Sequence, residues 1–200
     1  MTTWTSKSFA ALSIFTLLSA CDVVDTSTGL LANLAPPEDS TSSAPLTQAQ
    51  MMRGKVTLVP PSGYCIDAAS LSQSFAIMAR CDKLGAKTGE TGAVAGLLTV
   101  SLSRKGTNTP QPTPQEFATA GGLAVPSNIQ QGGEHTVFKT SGTAPSPDLS
   151  SDHWRSIGQV GDFSMSAALY GPKGQRAISD EGIGVLEEMI KRSTQETNAS

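Results

Sequence analysis

Apolar and polar residues alternate along several stretches of the chain, as expected of β-strands that bury one face. The stretch 96–103 shows this period most clearly, because its apolar positions Leu98, Val100 and Leu102 are separated by hydroxyl-bearing residues. Residues 74–81 predict another strand, with Phe75, Ile77 and Ala79 on one face and Ala76, Met78 and Arg80 on the other. Strands with one polar face are typical of an antiparallel sheet that has one side in water.

A longer stretch, residues 154–171, predicts a β-hairpin that turns at Gly161-Asp162. One face of its second arm is apolar, with Phe163, Met165, Ala167 and Leu169. Two shorter segments, 55–59 and 134–140, predict further strands. The chain is therefore expected to build a sheet from several short strands.

The segment 114–120 carries the signals of a short helix. Thr113 is a suitable N-cap, Pro114 suits the first helical position, and Glu116 completes a capping box. Gly121 then favours the end of the helix.

A second helix is predicted from Ser179, as its N-cap, through Arg192. Apolar residues recur in it at helical spacing and form one stripe: Ile183, Leu186, Met189 and Ile190. Glu187–Lys191 and Glu188–Arg192 are pairs of opposite charge four residues apart, which favour the helix. The stripe is expected to pack on the chain's own sheet, and a partner helix is the alternative.

Strands followed by a closing helix indicate an α+β domain: an antiparallel sheet with helices on one side, including a C-terminal amphipathic helix. This single domain is expected at residues 52–193, followed by a disordered tail at 194–200. The order of elements resembles the PsbP/Mog1-like fold over the length of the domain. The resemblance implies an accessory or assembly protein rather than an enzyme, and it assigns a role to no individual residue.

The amino terminus carries the pattern of a secretory signal. Lys7 is the only charged residue before Cys21, and the apolar segment 9–18 follows it. This segment is about half as long as the ~20 residues that a membrane-spanning helix needs. The tetrapeptide at 18–21, LSAC, resembles the lipobox of bacterial lipoproteins. An ordinary signal with a chance cysteine and an uncleaved hydrophobic helix are the alternatives.

The lipobox resemblance implies that residues 1–20 are a signal peptide and that Cys21 carries the lipid that anchors the mature chain to a membrane. Two or three acyl chains attach a protein durably, since each buried methylene contributes about 0.8 kcal/mol. Residues 21–51, which are rich in Ser, Thr and Pro, are expected to form a flexible tether to a domain in the periplasm. Asp22 resembles an inner-membrane retention signal, and the outer membrane is the alternative.

The composition fits an exported protein. Charged residues make up 16% of the chain, below the ~25% that is usual in soluble domains, and neutral polar residues take their place. The formal net charge is −3, so neither a basic surface nor nucleic-acid binding is expected. The stretches PPSGYCID and DHWRSIGQVGD also resemble exported alphaproteobacterial proteins.

Cys65 and Cys81 remain once Cys21 is lipidated. Zinc sites and thioredoxin-type redox sites need CxxC pairs or Cys/His clusters, which the spacing of these two residues does not provide. In the oxidising periplasm an even pair of cysteines favours a disulfide. Two separate buried thiols are the alternative.

Few residues offer catalytic chemistry. His135 and His153 are the only histidines, and the GxSxG, P-loop and dinucleotide-binding motifs are absent from the sequence. We therefore expect no enzyme, no cofactor and no metal site. The favoured function is a non-catalytic accessory or assembly role, in which the domain binds another envelope protein. The alternative is a periplasmic module for a small ligand or wall component, with a binding surface formed by Tyr64, Trp154, Arg155 and Tyr170.

Overall fold

Nine strands and two α-helices make up the part of the chain that the computed structural model describes, residues 44–86, 92–106, 110–133 and 135–200. The strands are β1 (Ala49–Met51), β2 (Val56–Leu58), β3 (Tyr64–Ile66), β4 (Phe75–Arg80), β5 (Leu97–Arg104), β6 (Ser127–Gly132), β7 (His135–Ser141), β8 (Asp152–Val160) and β9 (Phe163–Tyr170). The helices are α1 (Pro114–Ala120) and α2 (Glu181–Ala199). The predicted signal peptide and Cys21 lie outside these residues.

Seven strands form one antiparallel sheet in the order β3-β4-β5-β9-β8-β7-β6, and β1 pairs with β2 in a second, smaller sheet. The predicted α+β fold, with its antiparallel sheet and C-terminal helix, is confirmed. The predicted hairpin consists of β8 and β9, which turn at Gly161 and Asp162. Gly161 has a φ of 55°, a backbone conformation that glycine adopts without strain.

One face of the large sheet packs against α2. The residues predicted to point inward from β5 are buried there, together with the apolar stripe of the helix, Ile183, Leu186, Met189 and Ile190. Trp154 is fully buried near the start of α2, and its Nε1 donates a hydrogen bond of 2.8 Å to the Ser179 carbonyl oxygen. The stripe therefore packs within the chain, as predicted. Of the two predicted ion pairs, Glu188–Arg192 forms at 3.5 Å.

The helix α1 has its predicted bounds and capping box, but it lies on the other face of the sheet. Thr113 Oγ1 accepts a hydrogen bond from the Glu116 backbone, and the Glu116 carboxylate accepts one from the Thr113 backbone. The Phe117 ring contacts the Phe138 ring edge-on, with centroids 6.1 Å apart. Val137, next to Phe138 on β7, belongs to the core beneath α2. Because neighbours on a strand point to opposite faces, α1 and α2 cover opposite sides of the sheet, where both were expected on one side.

The folded domain extends further at both ends than predicted. At its start, Leu46 pairs with Ile66 on the outer edge of β3, and β1 begins at Ala49, inside the expected tether. At its end, α2 begins after Asp180 rather than Ser179 and continues to Ala199, where a disordered tail was expected.

Hydroxyl groups explain why α2 continues beyond its apolar stripe. Ser193 Oγ accepts a hydrogen bond of 3.0 Å from the Val59 backbone, and Thr197 Oγ1 accepts one of 3.0 Å from the Thr57 backbone. Ser193 and Thr197 therefore bind the backbone along the free edge of β2. Both residues continue the apolar stripe of α2 at helical spacing. Because both are polar, the hydropathy pattern does not reveal this contact.

Cys65 and Cys81 form a disulfide with an S–S distance of 2.00 Å, as predicted. Both residues are buried, and the bond ties β3 to the 3₁₀ turn that follows β4. Within the ranges given above, neither helix combines the length and the apolar character that crossing a membrane requires.

Candidate functional site

A cluster of polar and aromatic side chains lies on the α1 side of the sheet, where β8 and β9 are paired. It comprises Phe117, His153, Arg155 and Tyr170, and we call it the Arg155 cluster. His153 and Arg155 are two residues apart on β8 and therefore project from the same face. Tyr170 comes from the neighbouring strand β9, and α1 supplies Phe117.

Two neutral acceptors orient the guanidinium group of Arg155. Its Nε donates a hydrogen bond of 3.0 Å to His153 Nε2, and its Nη2 donates one of 3.0 Å to the Tyr170 hydroxyl oxygen. Its Cζ lies 5.8 Å from the centroid of the Phe117 ring and 6.0 Å from that of the Tyr170 ring. A guanidinium carries five N–H groups, and within the described residues the others have no hydrogen-bond partner.

Both ring nitrogens of the buried His153 are engaged. Nε2 accepts the Arg155 hydrogen bond, so the proton is assigned to Nδ1, which donates to the Ser151 carbonyl oxygen at 2.8 Å. Burial lowers the pKa of His153; the hydrogen bond to Ser151 opposes this shift, and the charge of Arg155 reinforces it. The ring also stacks on Tyr170, with centroids 4.5 Å apart. His153 is therefore a neutral group that positions Arg155 and Tyr170.

The chemistry of the Arg155 cluster is suited to binding. A general base needs a free lone pair beside its substrate, but the accepting nitrogen of His153 is occupied by Arg155. A guanidinium with free N–H groups is well suited to a carboxylate or phosphate group. Arg155 is half-buried, and it is the only charged side chain that the described strands of the large sheet place on this face.

Protonation of His153 is expected to destabilise the domain as the pH falls. Its folded-state pKa lies below the unfolded value of about 6.5, so the unfolded chain binds more protons below that pH. The free energy of unfolding should therefore decrease as the pH is lowered through 6.5 toward 5. The variant His153→Gln should lose this part of the pH dependence of stability, and the control variant His135→Gln should keep it. Urea unfolding across this pH range provides the measurement, and an unchanged slope in His153→Gln would contradict the neutral assignment.

Beside the Arg155 cluster, β4 and β5 carry a surface on the α1 side that neither helix covers. We call it the open face. Its side chains are half-buried or exposed: Phe75, Ile77, Ala79, Leu97, Thr99 and Ser101. A cavity of about 180 Å³ also lies on this side and is lined by Phe117, Ile157 and Ser166, among others. Phe117 therefore contributes to both the cavity and the Arg155 cluster.

The structure separates the four residues predicted to share a binding surface. Arg155 and Tyr170 lie together, but Tyr64 and Trp154 belong to the core on the α2 side. The Tyr64 hydroxyl donates a hydrogen bond of 2.7 Å to the Val94 carbonyl oxygen, and burial raises the pKa of Tyr64. Trp154 and Arg155 are neighbours on one strand, so they face opposite sides of the sheet and cannot line one site.

Sequence reasoning missed two members of the Arg155 cluster. His153 lies just before the predicted hairpin at 154–171, while β8 begins at Asp152, so the strand was predicted too short to show that His153 and Arg155 share a face. No sequence signal placed Phe117 beside them, because that contact depends on how α1 packs on the sheet.

A second groove, of about 490 Å³, lies on the α2 side and is lined by His135, Glu187 and Lys191, among others. His135 Nε2 is buried and has no hydrogen-bond partner within the described chain. Across the same residues, no group of three or more His, Cys, Asp or Glu side chains is placed to hold a metal ion. The groove has no oriented donor comparable to Arg155, which makes the Arg155 cluster the stronger candidate.

No family model, curated protein or solved structure matches the chain. The chain's own residues therefore carry the functional evidence. They point to the Arg155 cluster and the open face beside it.

Proposed function

We propose that the chain is a lipid-anchored protein of the bacterial cell envelope whose periplasmic domain binds another envelope protein and catalyses no reaction. The LSAC motif at 18–21 supports a lipid anchor on Cys21. The disulfide between Cys65 and Cys81 supports an oxidising compartment. Asp22 favours the inner membrane over the outer membrane.

The Arg155 cluster is the observation that carries the binding role. It places a half-buried cation with free N–H groups between two aromatic rings, next to the partly apolar open face. Protein–protein interfaces are enriched in arginine and aromatic residues, and their strongest contacts are those that become shielded from water. The engaged nitrogens of His153 support a binding function without catalysis.

A module for a small ligand or wall component is the second candidate. The cavity of about 180 Å³ beside Phe117 favours it, because a small group attached to a ligand has a place to enter there. In this case too, Arg155 would supply the charged contact.

Photo-crosslinking in living cells tests the proposed interface. A benzophenone-bearing amino acid at Ser101, on the open face, or at Gln115, exposed on α1, should trap the same envelope protein. The control position is Lys191, which is exposed on α2 on the opposite side of the sheet and should not trap that protein. Equal trapping from Lys191, or no recurrent partner from Ser101 and Gln115, would contradict binding through the open face.

A further inference from the structure

We propose that Arg155 binds a carboxylate group that the partner of this domain presents to it. This proposal rests on the proposed binding function, and it names the chemical group that the Arg155 cluster recognises. The carboxylate would belong to a partner protein or, for the second candidate function, to a small ligand.

Arg155 forms no ion pair with a carboxylate of the described residues. Three other arginines pair with carboxylates, in Arg80–Asp82, Arg176–Glu181 and Arg192–Glu188. Arg53 and Arg104 form no ion pair within the described residues either, but both are exposed to water, whereas Arg155 is half-buried. The hydrogen-bond partners of Arg155 are instead a neutral imidazole and a phenol. Partial removal of an unpaired cation from water is unfavourable, so its position on a sheet face whose described strands carry no other charge favours an anion supplied from outside.

The free edge of the guanidinium has the shape that a carboxylate needs. Nε and one hydrogen of Nη2 are occupied by His153 and Tyr170, which leaves Nη1 and the second hydrogen of Nη2. These two nitrogens present parallel N–H groups in one plane, matching the two oxygens of a carboxylate. The Phe117 and Tyr170 rings lie near the guanidinium, where they can also contact a bound group.

The single charge favours a carboxylate over a phosphate. A phosphate carries up to two charges and three free oxygens, and proteins usually meet it with several donors or cations. Here the guanidinium of Arg155 is the only cation that the described strands of the large sheet place on this face. His153 and Tyr170 act as positioning residues, since they hold the guanidinium without contacting the bound group.

An NMR titration of the full mature chain in detergent micelles tests the carboxylate assignment. The probe is N-acetyl-dialanine, which ends in a free carboxylate, and its carboxamide and inorganic phosphate are the comparisons. The amide resonances of β8 and β9 should shift saturably with the carboxylate, at least tenfold more tightly than with the carboxamide or phosphate. Equal binding of the carboxamide, or tighter binding of phosphate, would overturn the proposal.

Variants of the cluster sharpen this test. Arg155→Gln should abolish the carboxylate response, and Arg155→Lys should weaken it about tenfold while keeping the charge, because the planar pair of donors is lost. Tyr170→Phe removes one of the positioning acceptors and should weaken it severalfold. Arg104→Gln, which removes an exposed charge at the end of β5, is the matched control and should bind as the unmodified chain does. An Arg155→Lys variant that binds the carboxylate undiminished would contradict the bidentate geometry.

Crosslinking of the Arg155→Gln variant separates failure of this proposal from failure of the proposed function. Loss of the partner trapped from Ser101 would support a carboxylate on that protein. Undiminished trapping would overturn the role of Arg155 and leave the binding function standing. A carboxylate response in the titration without any trapped protein would support the carboxylate assignment and identify a small ligand as its source.

Discussion

Replacing Gly182 with alanine is expected to lower the free energy of unfolding by about 2 kcal/mol or more, because the core beneath α2 has no room for a methyl group. A Cβ at Gly182 would lie 2.2 Å from the Ala177 carbonyl oxygen and 2.6 Å from Trp154 Cδ1. The first of these atoms is backbone, and the second belongs to a fully buried ring, so neither can move aside without shifting the start of α2. Such a shift would also weaken the hydrogen bond from Trp154 to Ser179.

Gly184 provides a matched control in the same helix. Nothing lies within 4 Å of a Cβ built on this residue, and it is exposed. Gly184→Ala should therefore raise the free energy of unfolding by about 0.5–1 kcal/mol, since alanine favours a helix more than glycine does. Urea unfolding of both variants measures the difference. Two variants of equal stability would contradict the packing of α2 on Trp154.

Removal of the disulfide is expected to lower the free energy of unfolding by about 3 kcal/mol, the value for closing a loop of this length in the unfolded chain. The double variant Cys65→Ala/Cys81→Ala should consequently melt about 6–12 °C below the unmodified protein, since 1 kcal/mol corresponds to about 2–4 °C for a domain of this size. The loss is a large part of the ~5–15 kcal/mol that stabilises a typical domain.

Thermal unfolding with and without a reductant provides the measurement and its control. Reduction should destabilise the unmodified protein and leave the double variant unchanged. If denatured protein that was never reduced contains two thiols from Cys65 and Cys81 that react with a labelling reagent, the two cysteines are not bonded in the native protein, contrary to the structure.

Local patterns predicted the elements whose signals lie within one turn or one strand. The bounds and capping box of α1 follow from Thr113, Pro114 and Glu116, which act on one another over a single helical turn. The alternation of β5 and β9 predicted the residues that these strands bury on the α2 side, although β9 also buries Ala168 and Tyr170 on its other face. The hydropathy pattern was enough to predict these elements, because burial and local backbone geometry favour the same residues at each position.

Elements that depend on distant contacts were not predicted. β6 (Ser127–Gly132) is an exposed edge strand without apolar alternation. Its backbone pairing with β7 identifies it as a strand, and the sequence pattern does not show that pairing. β1 is three residues long and pairs with β2 in the small sheet. The last turns of α2 contact β2 through hydroxyl groups, which hydropathy patterns treat as solvent-facing.

The candidate site was half predictable. Arg155 and Tyr170 were predicted to share a binding surface, and the structure brings them into hydrogen-bond contact. Trp154 was predicted to join them, but it is the neighbour of Arg155 on one strand, and neighbouring side chains on a strand point to opposite faces. Tyr64 was predicted to share that surface as well, whereas its ring fills the core and its hydroxyl donates to the Val94 carbonyl oxygen.

The mass of the intact protein extracted from its own envelope tests most directly whether this chain is a lipid-anchored, disulfide-containing envelope protein. The predicted result is a chain that begins at Cys21, carries two or three acyl chains, and lacks two hydrogens because of the bond between Cys65 and Cys81. The variant Cys21→Ser should lose the acyl mass and should no longer sediment with the membrane. An unmodified Cys21 in the mature protein, or a Cys21→Ser variant that stays with the membrane, would contradict the proposed anchor.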